Sequence, residues 1–181
     1  MKIAVYCSAK DAIPEEYLSL GDQLGTWLGE NGHALVYGGA TGGLMTRTSE
    51  AAKAAGAYVI GVIPPRITAA GRQATHCDEL IEVANMSERK QKMRELADVI
   101  VCLPGSYGTL DEMMDVTSSA IVGEHHKSVF VLNYKGFYEP LKQQIEHMKE
   151  LQFIPANEHY CPAFVDTLNE LYEQIENINN R

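Results

Sequence analysis

The segment Leu103-Pro104-Gly105-Ser106-Tyr107-Gly108-Thr109-Leu110-Asp111-Glu112 joins an apolar run to a helix pattern through a glycine-containing turn. Such a turn can cradle an anion. Gly105 and Gly108 allow backbone angles that aim amide N–H groups outward, and the following helix adds free N–H groups and its positive dipole end. Thr109 could add a hydroxyl, and Glu112 is a carboxylate able to move a proton. A second reading competes. Thr109-Leu110-Asp111-Glu112 is also a capping box, in which Thr109 caps the helix and Glu112 reaches back to the cap N–H. From this segment alone the cap is the stronger expectation, and Glu112 is free for chemistry only if its side chain turns into the crevice or another group satisfies the cap.

A cation stands at a second notable position. In Met86-Ser87-Glu88-Arg89-Lys90-Gln91-Lys92-Met93-Arg94-Glu95-Leu96-Ala97, the residues Met86, Met93, Leu96 and Ala97 form an apolar helical stripe, and Arg89 falls inside it. Glu88, Lys92 and Glu95 take the solvent faces. A guanidinium in such a stripe either snorkels to water over a buried stem or meets a partner, and a carboxylate and a phosphate both suit it.

The other glycine-rich turn, Tyr37-Gly38-Gly39-Ala40-Thr41-Gly42-Gly43-Leu44-Met45, departs from the G-x-G-x-x-G spacing and follows the second strand rather than the first. It predicts close backbone packing with a ligand contact. Ser8-Ala9-Lys10 follows the first strand. Cys7 and Cys102 end apolar runs and read as buried structural thiols. Adjacent His125 and His126 do not face one site, so neither a metal nor a cofactor is expected.

These residues need a frame that brings them together. Apolar, β-branched runs at 3–7, 34–37, 58–63, 80–83, 99–103 and 129–132 predict strands, and helical periodicity covers 15–30, 44–55, 86–97, 110–122, 138–151 and 165–178. The alternation predicts an α/β fold with a parallel, doubly wound sheet, three layers deep, as a single domain over 1–181. Ligands bind beyond the carboxyl ends of such strands, where all three loops above converge. The stretch 64–75 is the longest irregular segment, a lid or an ordinary loop.

Composition narrows the partners. With 181 residues, 45% hydrophobic and 22% charged, the chain can bury a core unaided. A net charge of −9 without a Lys/Arg run argues against nucleic acid. No apolar run reaches the roughly 20 residues of a membrane span. Neither a signal peptide nor a C-x-x-C pair is visible among the four cysteines, so reduced thiols and a cytoplasmic location are expected.

Taken together, the segments resemble the LOG ("lonely guy") family of cytokinin riboside 5′-monophosphate phosphoribohydrolases, formerly labelled lysine decarboxylases. That family carries P-G-G-x-G-T-x-x-E, matched by Pro104 to Glu112, and M-x-x-R-K, matched by Met86 to Lys90. Further similarity lies in Val5-Tyr6-Cys7-Ser8, Tyr37-Gly38-Gly39, Gly43-Leu44-Met45, Gly61-Val62-Ile63-Pro64, Glu95-Leu96-Ala97-Asp98 and residues 132–138, so that it covers 3 to about 155.

The resemblance implies a Rossmann-like fold, a homodimer with sites near the interface, and hydrolysis of the N-glycosidic bond of AMP or an N6-modified AMP. By position, Arg89 and Glu112 match the family's catalytic pair. Lys90, Gly105, Ser106, Tyr107, Gly108, Thr109, Leu110, Asp111 and Thr117 match substrate-contacting positions, and Ser8 and Gly39 belong to the same expected site. Departures are Ser106 for the second glycine of P-G-G, Ala40 and Thr46 for glycines of the second turn, Ser119 where tryptophan is common, and no acid near Gly71. The alternative is a nucleotide or cofactor carrier of related fold without hydrolysis.

Overall fold

A computed structural model describes residues 1–158 and 160–179. In chain order the elements are β1 (Lys2–Tyr6), α1 (Glu15–Glu30), β2 (Ala34–Tyr37), α2 (Gly43–Ala54), β3 (Val59–Ile63), α3 (Pro65–Ala69), β4 (Glu79–Glu82), α4 (Met86–Leu96), β5 (Val99–Cys102), α5 (Tyr107–Ile121), β6 (Val129–Leu132), α6 (Glu139–Glu150), β7 (Ala163–Val165) and α7 (Leu168–Asn179). The strands form one seven-stranded sheet, ordered β4-β3-β2-β1-β5-β6-β7, and every pair is parallel. β3, β5 and β6 are buried throughout because helices cover both faces, which explains their continuous apolar runs.

Period-two alternation sorts the core into two layers. Ile3, Val5, Leu35 and Val99 pack with residues of α1, α2 and α7, while Ala4, Val36, Ile60 and Ile100 pack with Met93 of α4 and Met113 and Val116 of α5. The result is a Rossmann-like, three-layer α/β arrangement.

The sheet order places a switch point between β1 and β5, from which the chain winds outward in both directions. Crevices form at such points, beyond the carboxyl ends. To return from the edge strand β4 to β5, α4 must cross β3, β2 and β1, and it packs against all three. This crossover carries the first turns of α4 over the ends of β3 and β2.

Three differences from the sequence reading are structural. Residues 163–165 pair with β6 as a short edge strand, so the last helix begins at Leu168 rather than at 165. α5 begins at Tyr107, ahead of the expected 110. The 64–75 stretch carries the five-residue α3 and an antiparallel bridge between Gln73 and Ala40, which tie it to the loop after β2.

Candidate active site

The early start of α5 changes the role of its first residues. Ser106 takes the N-cap position in extended conformation with no side-chain cap bond, so Thr109 lies inside the first turn and Glu112 one turn further. The capping box is therefore not formed. Thr109 is buried and its hydroxyl lies against the Cα of Gly105, where any side chain would overlap it. The turn is tight because residue 105 is glycine, and the first-turn N–H groups of α5 lack a side-chain cap, as an anion cradle requires.

Glu112 points into the protein and meets Arg89. Arg89 Nη1 donates to Glu112 Oε1 at 3.1 Å, and Arg89 Nε donates to the Val62 carbonyl at 3.2 Å. The residues are 5% and 4% exposed, so neither charge is dissolved by bulk water. Burial pushes the Glu112 carboxyl up to about 7, against the opposing pull of the Arg89 charge. A carboxylate poised there can exchange a proton at neutral pH.

Lys90 turns sideways and pairs with Asp111 at 3.0 Å and Asp115 at 3.1 Å. Burial works against its charge, but the two carboxylates outweigh that and hold the ammonium above its usual range. Arg94 bonds Asp115 and Ser119, so the serine at the unusual position 119 serves the α4–α5 contact. Thr46, another departure, accepts from Gly42 N–H at 2.7 Å and closes that glycine turn.

The remaining expected residues fall around this pair. Ser8, Gly105 and Ser106 line a cavity of about 230 Å³ with Lys10, Tyr17 and Phe137. Gly39, at φ 63°, packs on Leu80, Val62 and Ile63. Tyr107 is almost fully exposed, Gly108 is exposed and Leu110, on α5 itself, is half-buried against the core. Thr117 is turned away, donates to the Met113 carbonyl, and lines a separate groove of about 440 Å³. These cavities of the single chain flank Arg89 and Glu112, and neither residue lines them.

Sequence reasoning missed two neighbours of Arg89: the Val62 carbonyl, which as a main-chain acceptor leaves no mark on side-chain pattern, and Gly38, over which the guanidinium lies. The Tyr37-Gly38-Gly39 doublet was the available signal. Cys7 and Cys102 are buried, and burial raises both thiols far above their usual range, which suits structural roles. Among the described residues no three His, Cys, Asp or Glu cluster as metal ligands, and no helix is long and apolar enough to cross a membrane.

Residues 45–175 match the family described as "possible lysine decarboxylase". The chain is 36% identical over 175 residues to the cytokinin riboside 5′-monophosphate phosphoribohydrolase LOG of Oryza sativa subsp. japonica, covering 97% of this chain and 72% of that one. To the enzyme of the same name from Mycobacterium marinum it is 33% identical over 168 residues, covering 93% and 89%. Among solved structures, the molybdenum cofactor binding protein of Rippkaea orientalis superposes with a TM-score of 0.74 at 22% identity, covering 98% of this chain and 96% of that one. The Moco carrier protein of Chlamydomonas reinhardtii gives 0.72 at 21%, covering 99% and 97%. At such identities these structures speak for the fold alone.

Proposed function

The chain belongs to the LOG family of cytokinin riboside 5′-monophosphate phosphoribohydrolases, and from that membership we propose that it hydrolyses AMP or an N6-modified AMP to the free base and ribose 5-phosphate. The observation that carries the reading is the buried contact between Arg89 and Glu112 beside the uncapped first turn of α5. Breaking the bond between the ribosyl carbon and the base nitrogen builds positive charge on the sugar. Glu112 faces that charge and takes a proton from the attacking water as the water oxygen bonds to the ribosyl carbon; the C–N electron pair leaves with the base, whose nitrogen receives the proton that Glu112 gives back, so one water is consumed in all. Arg89 keeps the carboxylate aimed and contacts sugar or phosphate oxygens, with the amides of Gly105 to Thr109 on the 5′-phosphate.

The reading includes a homodimer. Helix α5 presents Glu112 inward, while Met114 and Ile121 on the same helix are 38% and 48% exposed and line the groove containing Thr117. A second copy seated there would cover this apolar surface and wall the open side of the site. The cytoplasm fits four cysteines that are all free, and the chain acts as one domain.

The test is chromatographic. A panel of nucleoside 5′-monophosphates incubated with the protein should yield free base from AMP or an N6-modified AMP, with ribose 5-phosphate in equal amount. A carrier would show saturable nucleotide binding and no base release, and that result would replace the hydrolytic reading.

A further inference from the structure

Two nitrogens of the Arg89 guanidinium are engaged, Nε by the Val62 carbonyl and Nη1 by Glu112. The third, Nη2, has no hydrogen-bond partner among the described residues and lies on the backbone of Gly38. A Cβ built on Gly38 would overlap Nη2 and come within 2.8 Å of Cζ and 3.3 Å of Nε, and its three nearest neighbours all belong to Arg89. Conformation does not require this glycine. Its neighbour Gly39 has φ 63°, whereas Gly38 is absent from the left-handed positions of the chain. What keeps residue 38 bare is the side chain above it.

We propose that Gly38 is a positioning residue for Arg89: its bare Cα is the floor of the slot, at the end of β2, that seats the guanidinium against Glu112. This rests on the phosphoribohydrolase reading above. A methyl group here meets the far end of a flexible side chain rather than fixed backbone, so the guanidinium yields before the sheet does. Displacing it loosens the bonds to Val62 and Glu112 together. It also has a signed electrostatic effect, because Arg89 opposes the upward push of burial on Glu112. Moving that charge away raises the carboxyl further.

Gly38→Ala is to be compared with wild type and with Gly21→Ala, whose Cβ would come 2.9 Å from Thr48 Oγ1 on the α1–α2 contact, away from Arg89. Displacement of this order lowers kcat by about a hundredfold. For Gly38→Ala the ascending limb of the pH–rate profile moves to higher pH, while Gly21→Ala loses Tm and keeps the limb where it was. Stability gives a second readout. Arg89→Lys removes the guanidinium lobe, so Gly38→Ala should cost little Tm in that background and clearly more in the wild-type one. Wild-type kcat and an unmoved limb in Gly38→Ala, or an equal Tm loss in both backgrounds, would overturn the proposal. A wild-type protein that releases no base refutes the phosphoribohydrolase reading instead, and the Tm comparison still decides whether Gly38 seats Arg89.

Discussion

Glu112 titrates where it matters for a reaction near neutrality. Its carboxyl is raised from the ordinary range to about 7 because burial outweighs the attraction of Arg89. The ionised form, which in the proposed mechanism accepts the proton from water, predominates above that pH and is lost below it. The kcat/KM for base release should therefore rise through about pH 7 and fall on acidification, as a pH–rate profile will show. Removing Arg89 acts on the same group. Arg89→Ala leaves Glu112 buried without its counter-charge, so the ascending limb should move to higher pH, and severing a buried pair costs on the order of 3–5 kcal/mol of stability, readable by denaturant titration. Residue type and spacing alone mark both members of this pair, one as a carboxylate beside an anion turn and the other as a cation in an apolar stripe. The contact between them is not written in pattern or spacing and is expected only through the family resemblance, which makes Arg89 and Glu112 one pair. Thr109-Leu110-Asp111-Glu112 satisfies the pattern of a cap, and only the start of α5 at Tyr107 shows that Glu112 is not used as one.

The elements that matter most are α4 and α5, because each contributes one member of the pair. Asn85 caps α4 by accepting from Glu88 N–H at 3.0 Å, and its carbonyl accepts from Arg89 N–H at 3.0 Å. Asn85→Ala should cost about 1 kcal/mol and lower Tm by roughly 2–4 °C in a domain of this size. It should also reduce kcat, because Arg89 sits in the turn that frays; thermal melting and steady-state assay on one preparation check both effects. Elements with a clear apolar pattern were legible, whether the long helix α1 or the short strands β2 and β6, and all three match their expected bounds. β7 was not. Its three residues follow Cys161-Pro162 at the sheet edge, too short a run to alternate visibly, and Val165 reads as readily as the first residue of a helix. The exposed face of Met86 has a similar origin: helical spacing puts it on the stripe, but it lies at the end of α4 where little covers it.

At the scale of the molecule, strand and helix alternation predicts a layered parallel sheet, but strand order is not written in any local pattern. It emerges from the crossover of α4, which returns the chain from the outer strand to the centre and thereby brings Arg89 across to Glu112. Assembly is the remaining level. A homodimer should sediment at about twice the 20.0 kDa of the chain, and Ile121→Asp, placing a charge on the exposed rim of the apolar groove, should shift the population toward monomer. If the second copy walls the site, the specific activity of that variant should drop on dilution. The central claim concerns chemistry, and the most direct measurement is free adenine released from AMP by wild type and by Glu112→Gln, side by side, with nucleotide binding followed by calorimetry. The account predicts turnover by wild type, binding retained in the variant, and a loss of turnover on the order of 10²–10⁴-fold; equal release by the two proteins would contradict it.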